Sequence, residues 1–335
     1  MADDSNQSNS ENENLNYLAV PRAQILTRET ALSDIYVRLP TGKMVKVAHK
    51  GAKIDNERIE RFGEKSVEHM YVIEQDYSGL VRDLLNESKE VIKSQGGTVD
   101  KAVERYFQVA ETVLTEVTKI PVTEDSIGHA TEVVQEIAPK IAETDDLGKA
   151  LRTVFMLGDQ FARHSMGVVV VANWLAKQMG WTAPRVTVPL TMGALLHDIG
   201  LKELPPELVN KPRLEMTHEE VELYETHPVR GMMILRAFPG ISADVLQIVQ
   251  QHHEMPNGLG FPSRLRSERM FPLARVVSFA NILAHDIIDT LLEKKEFSIE
   301  KLHERIDNLY KPMYGSELCK AAKAVFKLKS KDKAA

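Results

Sequence analysis

The segment Pro189-Leu-Thr-Met-Gly-Ala-Leu-Leu-His-Asp-Ile-Gly200 closes an apolar run on an imidazole and a carboxylate. Pro189 fits an early helical position, after which Leu190, Ala194 and His197 share one face. His197 and Asp198 end that helix, and Gly200 breaks it. Moving outward, neighbouring segments repeat the pattern of a helix that aims a polar group inward. His164, Val168, Val171, Leu175 and Met179 follow helical spacing, with Gly180 as the stop. Thr217 to Glu220 reads as a capping box that leaves His218 facing solvent. Pro228 opens the next helix with His227 at its threshold. Ser242 caps a helix in which Val245, Ile248, Val249 and His252 share a face, with His253 beside it. Leu273, Val276, Val277, Ala280, Asn281 and Ala284 form a further apolar stripe containing one amide.

A lone inward histidine is ordinarily a hydrogen-bonded core residue. Six or seven polar groups aimed into one small bundle defeat that explanation. Each needs a partner, and unmet desolvation would cost on the order of several kcal/mol. A metal centre satisfies them together. The adjacent His197-Asp198 pair is the strongest element, because a carboxylate can bridge two cations while its neighbour binds one. Mixed imidazole and carboxylate ligation suits iron, manganese or zinc without choosing among them. Two such metals can hold a bridging hydroxide and clamp a phosphoryl group for in-line attack, which points to hydrolysis of a phosphate ester.

Composition narrows the setting. The chain has 335 residues, two domains' worth, with 42 Lys plus Arg against 48 Asp plus Glu and a net charge of -6. That balance argues against a protein that coats nucleic acid or clings to an anionic membrane. The apolar run Met166–Ala172 falls far short of the ~20 residues needed to span a bilayer. The N-terminus lacks a signal-peptide pattern, so a cytoplasmic protein is expected. A single cysteine, Cys319, excludes a thiolate cluster, whereas eleven histidines are available.

The expected fold is mainly α, a helical-bundle metal-binding domain preceded by a small α+β domain. Residues 1–15 read as a disordered acidic tail. Residues 16–78 read as the α+β module, with strands at Asp34–Pro40 and Met44–Ala48 joined by a Thr41-Gly42 turn. A helix over Asp55–Lys65 and a strand over Val67–Ile73 complete it. Residues 79–145 read as a helical connector, 146–327 as the metal-binding domain and 328–335 as a Lys-rich tail. Helical spacing is expected from Leu80 to Lys119, broken at Gly96-Gly97, then from Thr123 to Ala142 and from Leu147 through Gly180. Tyr106, Phe107 and Val113 belong either to the core, the favoured reading, or to a dimer interface.

The segment Ala162–Ala284 resembles the HD-GYP family of HD phosphohydrolases, whose members hydrolyse the bacterial messenger cyclic di-GMP. The resemblance rests on His164-Ser165, His197-Asp198-Ile199-Gly200, Pro205, Asn210-Lys211-Pro212, His227-Pro228 with Gly231, and His252-His253-Glu254. Gly260-Phe261-Pro262 stands where the family has Gly-Tyr-Pro. It implies a first metal on His164, His197 and Asp198. Asp198 would bridge to a second metal on His227, His252 and His253, with iron favoured. Asn281 occupies the position of the family's last ligand, an aspartate, which would hold its metal more weakly. Gln160, where some members carry a third-metal glutamate, favours two. Leu201 replaces the family's lysine, leaving Lys202 one step along as the candidate phosphate contact. Phe261 keeps the ring of the family's tyrosine at the substrate and loses its hydroxyl. Ala284 and Thr290 mark the absence of the family's Arg-Pro-Tyr segment. Glu254 either orients an imidazole or faces solvent. The resemblance implies a cyclic dinucleotide or related phosphoester as substrate. The alternative is a weak or inactive nucleotide-signalling or scaffold protein that keeps the metal site. The N-terminal module resembles a regulatory domain through which protein partners could act.

Overall fold

The structure is a computed structural model that describes residues 15–26, 29–64, 67, 69–94, 99–143, 147–292 and 298–326. The expected acidic tail, apart from Leu15, and the Lys-rich tail lie outside the described residues. The chain divides into two compact units, one of residues 1–96 with 108–129 and the other of 97–107 with 130–335. The stretch 79–145 thus gives residues to both.

In the first unit, β1 (Tyr17–Pro21) leads into α1 (Arg22–Leu26), followed by β2 (Ile35–Arg38), β3 (Met44–Ala48), α2 (Asn56–Glu64) and β4 (His69–Ile73). The sheet has the order β1-β4-β2-β3 and every pairing is antiparallel. The β2–β3 hairpin and the β4 strand appear where the alternation of side chains places them. β1 is an addition: five residues ending in proline carry little local signal. They become a strand by pairing Tyr17 with Ile73 and Val20 with Met70, across a long loop of chain. Helix α3 (Glu74–Ser94) buries Tyr77, Leu80, Val81, Leu84, Leu85 and Ser88, the stripe expected of an amphipathic helix. α4 (Val99–Lys119) and α5 (Glu124–Glu143) follow, each divided between the two units. Tyr106, Phe107 and Val113 are all buried within the chain, in accord with the core reading. His129 is buried against Glu116, Nδ1 to Oε2 at 2.9 Å.

The second unit is helical. The stretch from Leu147 through Gly180 resolves into α6 (Leu147–Phe155) and α7 (Gln160–Gln178). They part at Met156–Asp159, where the Asp159 carboxylate caps α7 by accepting from the Ala162 amide at 2.8 Å. α7 ends as expected: the Trp181 and Gly180 amides return to Ala176 and Lys177 carbonyls. The stripe led by His164 proves to be part of a more deeply buried helix. From Ser165 to Ala176 every residue is buried, because α6, α8 (Pro184–Leu196), α13 (Pro272–Leu292) and α16 (Ser316–Val325) all pack on α7. Pro189 is inside α8 and not near its start; Pro184 takes the first turn. The interior proline forfeits one helix hydrogen bond but leaves the phase of the helix intact, so His197 still points inward. Beyond α8 come a 3-10 turn (Ile199–Glu203), α9 (Pro206–Val209), a second 3-10 turn (Arg213–Glu215), α10 (His218–Tyr224), α11 (His227–Arg236) and α12 (Ala243–Gln251). The Thr217 capping box and the Ser242 cap are both formed. The C-terminal part holds α14 (Ile299–Arg305), a π-helical turn (Ile306–Tyr310), α15 (Lys311–Tyr314) and α16 (Ser316–Val325).

Candidate metal centre

Three helix junctions use one local device to aim an imidazole. The Nδ1–H of His197 donates to the Ala194 carbonyl at 2.8 Å, that of His227 to Tyr224 at 2.8 Å, and that of His252 to Val249 at 2.7 Å. Each acceptor lies three residues back, at the end of a helix whose last carbonyls lack helical partners. A carbonyl only accepts, so Nδ1 keeps the proton and Nε2 is left with a lone pair. All three Nε2 atoms turn toward Asp198. Its Oδ2 lies 3.2 Å from His197 Nε2 and 3.8 Å from His164 Nε2. Its Oδ1 lies 3.2 Å from His227 Nε2 and 3.3 Å from His252 Nε2. Gly200 makes this approach possible: a Cβ there would sit 2.0 Å from the His227 carbonyl oxygen.

The side chains fall into two groups that share Asp198. One is His164, His197 and Asp198; the other is Asp198, His227, His252 and His253. The donor set fits a cation at each. His227 and His252 face one another Nε2 to Nε2 at 3.2 Å, with both ring protons spent on carbonyls. A cation between them would satisfy two Nε2 lone pairs so disposed. Asn281, buried on α13, has an Oδ1 atom with no hydrogen-bond donor, and Asp198 Oδ1 likewise lacks one. Burial pushes the pKa of His252 down to about 4 and those of His164 and His253 well below the ordinary value, so all three are neutral near pH 7. For His197, burial works downward but the Asp198 carboxylate outweighs it, and the net shift is upward. For Asp198, burial works upward, and the neighbouring imidazoles, His197 foremost, hold it well below the usual carboxylate range.

The other candidates have mixed outcomes. Phe261 lies against the centre, stacked on His253 with ring centroids 4.4 Å apart at 24°. Its loop is tightly folded, since a Cβ on Gly260 would stand 2.3 Å from the Met255 nitrogen and 2.4 Å from the His253 oxygen. Lys202 lies on the 3-10 turn just after Asp198; burial lowers its pKa, and the charged neighbour acting on it is Glu203. Glu254 meets neither expectation. It is fully buried, and its carboxylate accepts from the Ser263 amide at 2.6 Å and the Leu265 amide at 2.8 Å, fastening the Phe261 loop. Side-chain placement at Thr290 lies outside the description, and His218 faces solvent as expected.

Three residues were missed. His285, one turn after Asn281 on α13, sets its ring 4.2 Å from that of His164. The i,i+4 spacing from Asn281 was the available signal. Tyr224 packs edge-on against His227 at 4.9 Å. Arg213 lays its guanidinium over Phe261 at 5.1 Å and over Tyr224 at 5.6 Å. Arg213 sits on a 3-10 turn whose path no periodicity encodes, and Tyr224 ends the short helix α10.

A family model described as HD domain matches residues 135–309. A cyclic di-GMP phosphodiesterase of Pseudomonas aeruginosa is 29% identical over 154 residues, 46% of this chain and 37% of that protein. A 3'3'-cGAMP-specific phosphodiesterase of Vibrio cholerae is 27% identical over 120 residues, 36% of this chain and 27% of that one. The chain therefore spans well under half the length of these curated relatives. An HDG"Y"P protein from Bdellovibrio bacteriovorus shares the fold, with a TM-score of 0.67 at 22% identity, covering 92% of this chain and 99% of that one.

Proposed function

The chain belongs to the HD domain family, and from that premise we propose that it is a metal-dependent phosphodiesterase acting on a cyclic dinucleotide of the cyclic di-GMP class. The observation that carries this reading is the two-sided environment of Asp198, one oxygen turned to His164 and His197 and the other to His227 and His252. In this reading His164, His197 and Asp198 hold one metal, Asp198, His227, His252 and His253 hold the second, and Asn281 offers a neutral oxygen. Bound metals, with iron favoured over manganese or zinc, supply water of lowered pKa and neutralise charge developing on the phosphoryl oxygens. The chain's own contribution is orientation. Backbone carbonyls fix three imidazole tautomers, Glu254 anchors the Phe261 loop, and Lys202, on the 3-10 turn that follows Asp198, is the candidate phosphate contact.

A second reading, nucleotide binding with little turnover, draws on the amide at Asn281 and the missing hydroxyl at Phe261. In both readings residues 16–78 act as a regulatory module toward protein partners, in a cytoplasmic protein. Among the described residues no helix is long and apolar enough to cross a membrane. Purified protein loaded with iron or manganese should contain two metal ions per chain and cleave cyclic di-GMP or cyclic GMP-AMP. A His197→Ala, Asp198→Ala double variant should do neither. Absence of metal overturns both readings, while two metals with nucleotide binding and no cleavage favours the second.

A further inference from the structure

The cations around the centre are engaged unequally. Lys211 pairs with Glu220 at 2.6 Å, and Arg230 reaches Glu203 at 3.4 Å and the Thr226 hydroxyl at 2.8 Å. Arg213 differs, because its contacts lead back to the metal-side histidines. Its guanidinium covers both Phe261 and Tyr224. Phe261 stacks on His253 and Tyr224 packs on His227, so each aromatic backs one imidazole of the second histidine group and both share one cation. Both separations fall within the ~6 Å over which a cation is attracted to a ring face.

This arrangement is built. Glu254 fastens the Phe261 loop through two backbone amides, and Glu225 pairs with Arg213 from the other side. A guanidinium lying on an aromatic face keeps the donors along its edge, and one carboxylate cannot use all five. The Arg213 side chain is 45% exposed, so those donors can be reached from solvent. Leu214, fully exposed beside it in the chain, and Leu259, 79% exposed just before Phe261, offer apolar surface on the same two loops. A planar fork of donors next to apolar surface suits a phosphate joined to a nucleobase.

We propose that Arg213 is the residue that determines specificity for the cyclic dinucleotide, gripping the phosphate that is not being cleaved. The inference rests on the proposed function. It assigns the substrate's second anionic contact to a loop arginine stacked on Phe261.

The test compares metal-loaded full-length wild type, Arg213→Gln and Arg213→Lys on two substrates. One is cyclic di-GMP; the other is bis(4-nitrophenyl) phosphate, a diester with no second phosphate. Loss of a charge-assisted contact should raise KM for cyclic di-GMP about tenfold to a hundredfold in Arg213→Gln, with kcat changed by less than about threefold. Metal content and turnover of the small diester should stay at wild-type levels. Arg213→Lys should recover part of the loss, since it restores the charge without the fork. An unchanged KM for cyclic di-GMP in Arg213→Gln, with wild type active, overturns this inference and leaves the proposed function standing. Equal loss on both substrates, or lost metal, also overturns it by exposing a structural role. Wild type that neither binds nor cleaves cyclic di-GMP overturns both.

Discussion

The two histidine groups that share Asp198 are built differently. In the second, His227 and His252 are buried to 1% exposure or less, their ring protons are tied to carbonyls, and His227 and His253 are backed by Tyr224 and Phe261. In the first, His197 is equally buried and tied, but the His164 side chain is 14% exposed and its ring packs on the exposed His285 and the edge of His197. Each corner keeps one partly exposed imidazole, His164 in the first and His253 in the second, but the second has two carbonyl-tied histidines and two aromatic supports where the first has one tied histidine. Preorganisation removes the cost of ordering the donors at binding, so the second corner should hold its metal more firmly and the first should exchange.

The largest test removes the shared element. Asp198→Ala should strip both corners at once, with metal content near zero and hydrolysis down by about three orders of magnitude or more. Retention of one metal would mean the corners are independent. Next, His164→Ala should lower metal content from two ions per chain to one, whereas a fully coupled site would lose both; metal analysis after mild chelation decides. Acid should act chiefly on the second corner. The depressed pKa values of His252 and His253 mean that folded protein resists their protonation. Their contribution to stability is therefore present above about pH 6.5 and lost as pH falls toward about 4 for His252, and lower still for His253. The raised pKa of His197 works in the opposite sense, His164 adds to the acid loss, and Asp198 adds to it only below about pH 4. The unfolding midpoint of metal-free protein should fall between pH 6.5 and 4; a flat profile would contradict the buried, neutral histidines. The smallest effect is expected from Asn281→Asp, which adds a charge to an oxygen that already lacks a donor. Metal retention against a chelator should rise about tenfold, the scale on which ligand and near-ligand changes act.

His129 shows why the number of histidines alone was a poor guide. It is as buried as several candidates, yet it meets one carboxylate oxygen of Glu116 and stops there. The imidazoles at Asp198 outnumber what one carboxylate can satisfy, and that excess marks the centre. Much of this was legible in the sequence. His197, His227 and His252 each follow a helix end or opening signalled by Gly, Pro or a cap, and the hydrogen bonds that aim them are local. β1 was not legible, because a five-residue segment gains its ladder only from β4 some fifty residues later. His285 lies outside the apolar stripe of α13 and is exposed, so its i,i+4 spacing from Asn281 is the one sequence feature that ties it to the site.

The sequence by itself determined which groups could bind a cation: helix phases, caps and i−3 carbonyls are short-range, and they set each ring's orientation residue by residue. Tertiary structure alone decided how those rings meet. The split of Asp198 between two groups depends on the 3-10 turn after α8 meeting α11 at Gly200, where only hydrogen fits against the His227 carbonyl. The buried carboxylate of Glu254 became a loop anchor, and Arg213 came to rest on Phe261, through loops whose paths are set by packing and by no repeating pattern. Local hydrogen bonds can be read from neighbours in the chain; convergence of distant segments is a property of the folded core.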